Sequence, residues 1–189
     1  MLLSLGRTLP ATLAALLLLG AVTPAVPQRF TDPDTLAPAY PTPQTVVDQM
    51  LTAAQVKPGE TVYDLGCGDG RIVIAAARKF HARAVGIEIR RDIYEKTAAN
   101  VAALGLGDQV RIVLGNALHY DISPADVVTL YLLTSSNDRL KPELEHYLKP
   151  TARVVSHDYE IRGWKPETVS HMVVEGRPHV VYVYRMSTR

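Results

Sequence analysis

One cysteine, no run of like charge and no metal-ligand spacing among most of its histidines set the first limits on this chain of 189 residues. The lone Cys67 cannot form an internal disulfide, so the chain carries no staple suited to an oxidising compartment. It lies between glycines with no base evidently aimed at it, and reads as a small apolar residue rather than a nucleophile. A formal net charge of +1 argues against the basic stripe of a dominant nucleic-acid interface. His81, His119, His146, His171 and His179 fall at no spacing that suits a metal, and no metal site is read. No internal repeat or low-complexity tract appears beyond the N-terminal leader. The length suits one domain, and about 150 residues after the leader can bury a single core without metals or disulfides.

The leader reads as a separate module. No residue from Thr8 to Gln28 is charged, and Ala11 to Leu19 form a compact apolar run after Arg7, followed by small residues around Thr23-Pro24-Ala25. Residues 1–26 are therefore expected to be a signal peptide or a membrane anchor. Neither length nor flanking charge decides between them, and no cysteine follows the run to take a lipid. Residues 27–41, rich in Pro, Asp and Thr, read as a linker, leaving 42–189 as the folded domain.

Within that domain strands and helices alternate, as a parallel sheet covered on both faces requires. Thr42 is expected to cap a helix with Pro43 at its first position and Val46, Val47, Met50, Leu51 and Ala54 as its apolar stripe. Lys57-Pro58-Gly59-Glu60 suits a type II turn into the first strand. Helices are expected over 72–80, 92–104 and 141–148, the second ended by Gly105. Further strands are expected over 84–88, 110–114, 126–132 and 152–156, with 168–174 and 179–185 as a closing antiparallel pair.

The most informative stretch is Val62-Tyr63-Asp64-Leu65-Gly66-Cys67-Gly68-Asp69-Gly70-Arg71. A strand runs into an acid, then three glycines at alternate positions, then a helix. Glycine admits φ > 0 and lets a ligand lie against bare backbone, while the helix start supplies unpaired N–H groups. The dinucleotide fingerprint would place its third small residue at position 71, where this chain has Arg71. Glu88 ends the second strand about 20 residues on, where doubly wound folds hold a ribose-binding acid.

The segment from Asp64 to Gly70 resembles motif I of class I S-adenosylmethionine-dependent methyltransferases, with Glu88 as their ribose acid. Tyr40-Pro41-Thr42-Pro43, the run Asp126 to Leu133, Leu148-Lys149-Pro150 and the run Arg153 to Trp164 are similar to the family of the archaeal broad-specificity protein-lysine methyltransferase. The mitochondrial ATP synthase c-subunit lysine methyltransferase belongs to the same wider family. The likeness extends from about Tyr40 to Arg185. It implies an α/β, doubly wound, mostly parallel seven-stranded Rossmann-like sheet with a C-terminal antiparallel pair, and S-adenosyl-L-methionine as cofactor. It implies a lysine of a protein partner as methyl acceptor.

By that resemblance Asp64 helps bind the methionine part of the cofactor, and Gly66, Gly68 and Gly70 let the backbone close over it. Glu88 accepts from the ribose hydroxyls, Asn116 contacts the adenine amino group, and Tyr40 folds over the whole. Asn116 also suits a plain turn. For catalysis Tyr131 and Asp158 are the candidates, with His157 and Glu160 beside them and Tyr159 and Trp164 as walls of an aromatic channel for a cation. Core packing or surface hydrogen bonding competes with catalysis for each. No Asn-Pro-Pro-Tyr follows the fourth strand, only Leu132-Leu133-Thr134-Ser135-Ser136-Asn137, which argues against the adenine and glutamine N-methyltransferase site. A small-molecule or lipid-linked acceptor, and a non-catalytic cofactor-binding module, are the alternative readings. Because the cofactor is made in the cytosol, an anchor with a cytosolic catalytic domain is favoured over export.

Overall fold

Short β-branched strands joined through helices bury both sheet faces only if helices cover each side. The computed structural model, which describes Leu36 and residues 40–188, has that arrangement. The leader lies outside the described residues, as does the linker apart from Leu36, Tyr40 and Pro41. In chain order the elements are α1 (Gln44–Ala53), β1 (Thr61–Leu65), α2 (Arg71–Phe80), β2 (Arg83–Glu88), α3 (Arg91–Ala103), β3 (Val110–Leu114), β4 (Val127–Leu130), α4 (Thr134–Tyr147), β5 (Arg153–His157), β6 (Thr168–Val174) and β7 (Arg177–Arg185). The strands form one sheet in the order β3-β2-β1-β4-β5-β7-β6. The first five are parallel, and β7 inserts antiparallel between β5 and β6. The expected fold class is therefore present.

Alternation along the strands divides the core. Val62, Val127, Val155 and Val183 face α1, α2 and α3, packing with Val46, Met50, Val73 and Ala76. Tyr63, Leu65, Val128, Leu130 and Val154 face the other way, onto Leu140 and Leu144 of α4 and onto Trp164 and Tyr184. Successive side chains of a strand point to opposite faces, so one parallel sheet supports both layers. The chain reverses direction across the sheet between β1 and β4, which places a crevice at their C-terminal ends.

Several boundaries differ from the sequence reading. Pro43, not Thr42, is the cap residue of α1. Thr42 is buried instead and its hydroxyl faces His157, so a tertiary partner outweighs the local cap. The segment expected to lie in a helix, 141–148, forms the second half of α4, which begins at Thr134, ends at Tyr147 and carries Pro142 inside it. Pro142 forgoes one N–H, a loss that burial of Leu140 and Leu144 offsets. Strand β4 ends at Leu130, so Tyr131 and Leu132 lie beyond the ladder, at its open end. The type II turn is present: Gly59 has φ +82° and Glu60 N–H donates to Lys57 C=O at 3.2 Å. Among the described residues no helix is long and apolar enough to cross a membrane.

Candidate active site

A cavity of about 390 Å³ opens at the C-terminal ends of β1, β2 and β4, lined by Asp64, Gly66, Cys67, Gly68, Glu88, Asn116, Tyr131 and Leu132, with Tyr40, Pro41 and Thr42 along one side. The Gly66 to Gly70 turn forms its floor. Gly66, Gly68 and Gly70 all have positive φ, at 85°, 54° and 77°. Their roles differ. A Cβ on Gly68 would meet no protein atom within 4 Å, whereas one on Gly70 would stand 2.7 Å from Thr97 Cγ2. Gly70 precedes α2 and is not among the cavity-lining residues; its surroundings are those of a tight turn packed against Thr97.

Glu88 closes the end of β2 and holds the turn. Its Oε2 accepts from Gly68 N–H at 3.0 Å and its Oε1 from Arg90 N–H at 2.9 Å. A carboxylate has about four acceptor positions, so both oxygens keep capacity for hydroxyl donors. Thr97, which the sequence reading missed, donates from Oγ1 to Gly68 C=O at 2.7 Å. A buried threonine in an otherwise exposed part of α3 is the one local sign of it.

Asp64 is buried beside Thr129, its parallel-register neighbour, whose hydroxyl donates to Asp64 Oδ1 at 2.7 Å. Burial pushes the carboxyl up to about 7, partly opposed by the Thr129 hydrogen bond and reinforced by the Glu88 charge. Thr129 too went unread, though a hydroxyl in the buried run Val127 to Leu130 needs a partner. Burial likewise pushes the Cys67 thiol far above its usual range, which makes it inert packing, as expected. Arg71 donates to Thr42 C=O at 2.6 Å and pairs with Asp69, tying the start of α2 to the segment before α1.

Asn116 Oδ1 accepts from Leu118 N–H at 2.9 Å, capping a single 3-10 turn at Ala117–His119. Its side chain thus serves the turn while lining the cavity. Tyr40 is 72% exposed at the rim.

Tyr131 reaches the cavity, and its ring stacks on His157 with centroids 3.9 Å apart. Burial, then the Asp158 charge, raises its phenol above the ordinary value, so the hydroxyl stays protonated at neutral pH. Asp158 is not among the cavity-lining residues. It has φ +59°, which turns its carboxylate onto Val180 N–H, His157 and His179. Burial holds the imidazole of His157 below the usual histidine range, against the pull of Asp158. His179, which falls at no metal-ligand spacing in the sequence, is brought against this group: its Nδ1 lies 2.9 Å from His157 Nε2. No local spacing could show this, because β5 and β7 meet across 22 residues. Trp164 is also displaced from its expected role. It is a core residue, edge-on to Tyr184 at 5.6 Å and donating to Glu145 at 2.7 Å. Tyr159 does approach Tyr131, at 6.2 Å between centroids.

Residues 64–168 match the ANTKMT methyltransferase domain. The chain is 49% identical over 148 residues to a protein-lysine N-methyltransferase of Saccharolobus islandicus, covering 78% of this chain and 92% of that one. It is 34% identical over 100 residues to a ribosomal protein L11 methyltransferase of Pelotomaculum thermopropionicum, of which it covers 32%. Among solved structures, one described as an RNA methyltransferase from Salinibacter ruber in complex with S-adenosyl-L-homocysteine superposes with a TM-score of 0.74 at 45% identity, covering 79% of this chain and 95% of that chain.

Proposed function

The chain belongs to the ANTKMT methyltransferase domain family, and from that premise we propose that it transfers a methyl group from S-adenosyl-L-methionine to the Nζ of lysine in a protein partner. The observation that carries the acceptor is the 49% identity to a protein-lysine N-methyltransferase over 92% of that protein's length.

The residues present fit the cofactor. Gly66 and Gly68 line the cavity, and Glu88 beside them retains acceptor positions for ribose hydroxyls. Asp64 is a buried acid lining the cavity, and the amino group of the methionine part supplies a cationic partner for it. Asn116 and Tyr40 also line the cavity, as contacts for the base would. When bound, the cofactor's sulfonium supplies an electrophilic methyl group for in-line displacement.

The chain's own task is to orient the acceptor and exclude water. A free lysine has a pKa of about 10.4, roughly 3.4 units above pH 7, so presenting its neutral amine costs about 4.6 kcal/mol. Desolvation at the wall formed by Tyr131 and Leu132 lowers that cost. The Tyr131 phenol, neutral at pH 7, orients the amine as a hydrogen-bond partner rather than taking its proton. Asp158 does not line the cavity, and so is not a base in contact with the amine.

RNA is the second reading, favoured by the description of the Salinibacter ruber neighbour. The net charge of +1 weighs against it, since phosphate contacts demand clustered cations. Transfer of labelled methyl into host lysate separates the two. Label that survives ribonuclease, disappears on proteolysis and yields methyl-lysine after acid hydrolysis is the expected result. Label in RNA, lipid or small molecules would sink the lysine reading.

A further inference from the structure

We propose that His157, Asp158 and His179 form a binding site for a divalent late first-row metal ion of the zinc type, behind the cavity wall; this holds whichever acceptor is methylated. Three potential ligand atoms converge. His157 Nε2 lies 2.9 Å from His179 Nδ1, and each lies 3.2 Å from Asp158 Oδ2.

Hydrogen bonding alone cannot satisfy this triangle. The carboxylate oxygen brings no hydrogen, and each facing nitrogen brings at most one. With both nitrogens protonated, two N–H donors oppose each other across 2.9 Å. With only one protonated, the other nitrogen and the carboxylate oxygen oppose lone pair to lone pair across 3.2 Å. With the carboxylate ionised, each protonation state of the two imidazoles leaves at least one repulsive side, whereas a cation among the three attracts all of them. The dimensions suit one: ligands about 2.0–2.1 Å from a tetrahedral ion stand about 3.3 Å from one another.

The backbone is shaped for the convergence. Adjacent residues leaving a strand point to opposite faces, so His157 and Asp158 could not normally share a ligand. The left-handed conformation of Asp158 removes that obstacle. Outer partners orient the ligands as they do in metal sites: Thr42 Oγ1 lies 3.3 Å from His157 Nδ1, and Val180 N–H donates to Asp158 Oδ1 at 2.9 Å. If Nδ1 donates to Thr42, the Nε2 lone pair points at the ion. Two imidazole nitrogens and one carboxylate oxygen match zinc's preferences, and partial exposure of Asp158 leaves a fourth position for water. The ion would join the end of β5 to β7 directly behind Tyr131 and Thr42, bracing one wall of the cavity.

Full-length, tag-free protein, stripped with chelator, loaded with zinc chloride and desalted, should retain about one zinc per chain and melt at a higher temperature than the stripped form. His179→Ala and Asp158→Asn each remove a ligand and should weaken zinc binding by more than the roughly 10–100-fold that loss of an outer partner costs. Calorimetry with S-adenosyl-L-methionine should show that His179→Ala still binds cofactor and is folded, which separates loss of metal from loss of the active-site reading. Should either variant not fold, cobalt(II) added to the stripped wild-type protein decides: the intense visible absorption of a tetrahedral ion, displaced by zinc, is expected. Wild-type protein with negligible zinc and no such absorption, or a folded His179→Ala that keeps zinc undiminished, would overturn the site.

Discussion

Asp64 and Glu88 are both acids at the cavity floor, yet their surroundings set them different work. Burial raises Asp64 to about 7, so folding without ligand favours its protonated form. The sign follows: as pH rises from about 4 through 7, the empty protein loses the stability that this proton uptake contributes. A cationic amino group beside Asp64 reverses the preference, and binding then releases a proton below pH 7. Affinity for S-adenosyl-L-methionine should therefore rise with pH up to about 7, the value for the empty site, and level there. Asp64→Asn should bind more weakly with a flat profile, and calorimetry at several pH values checks both. Glu88 accepts two backbone N–H groups and should accept two more donors from the ribose. Replacing it with Ala should weaken cofactor binding by about 1.5–3 kcal/mol, the range for hydrogen bonds to a charged group. Equal affinity in calorimetry would remove the ribose assignment.

At the scale of elements, β5 is fastened to the opposite end of the domain by Arg153. Its guanidinium donates to the carbonyls of Ala54 and Gln55 after α1 and pairs with Glu60 at 2.7 Å, in the turn before β1. The pair is largely buried, so truncating one partner strands the other. Arg153→Ala should lower unfolding stability by about 3 kcal/mol in urea titration. Because Arg153 lies at the start of β5, away from the cavity, the variant should keep cofactor affinity where it is folded. A stability loss no larger than that of an exposed surface pair would show that the Arg153 contacts are not coupled.

For the whole molecule, the expected signature joins chemistry to compartment. If lysine is the acceptor, methyl transfer should accelerate with pH through the neutral range, the neutral amine fraction growing about tenfold per unit until the bound amine is deprotonated. The uncharged stretch Thr8 to Gln28 supports a second expectation. The enzyme should fractionate with membranes, its catalytic domain shielded from external protease in intact cells. Rates that ignore pH would argue against an amine acceptor, and a soluble protein outside the cytosol would overturn the anchor.

Local chemistry determined much of this in advance. The glycine turn, the acids that end β1 and β2, and the alternation of β-branched strands with helices are read over a few neighbouring residues, and each survives in the fold because its cause is local: positive φ, an unpaired helix start, a pleat of period two. What depended on distant partners was not legible. Gly66 and Gly70 look alike in the chain, but the nearness of Thr97 makes one a packing position and leaves the other on the cavity wall. Thr42 reads as a cap until His157 is beside it, and Trp164 reads as a channel wall until Tyr184 and Glu145 enclose it. Asp158, His157 and His179 meet only because β7 runs antiparallel to β5 and Asp158 takes a left-handed turn. Sequence spacing encodes which neighbours share a face of one element; the meeting of residues on different strands is fixed by sheet order and packing, which only the tertiary structure decides.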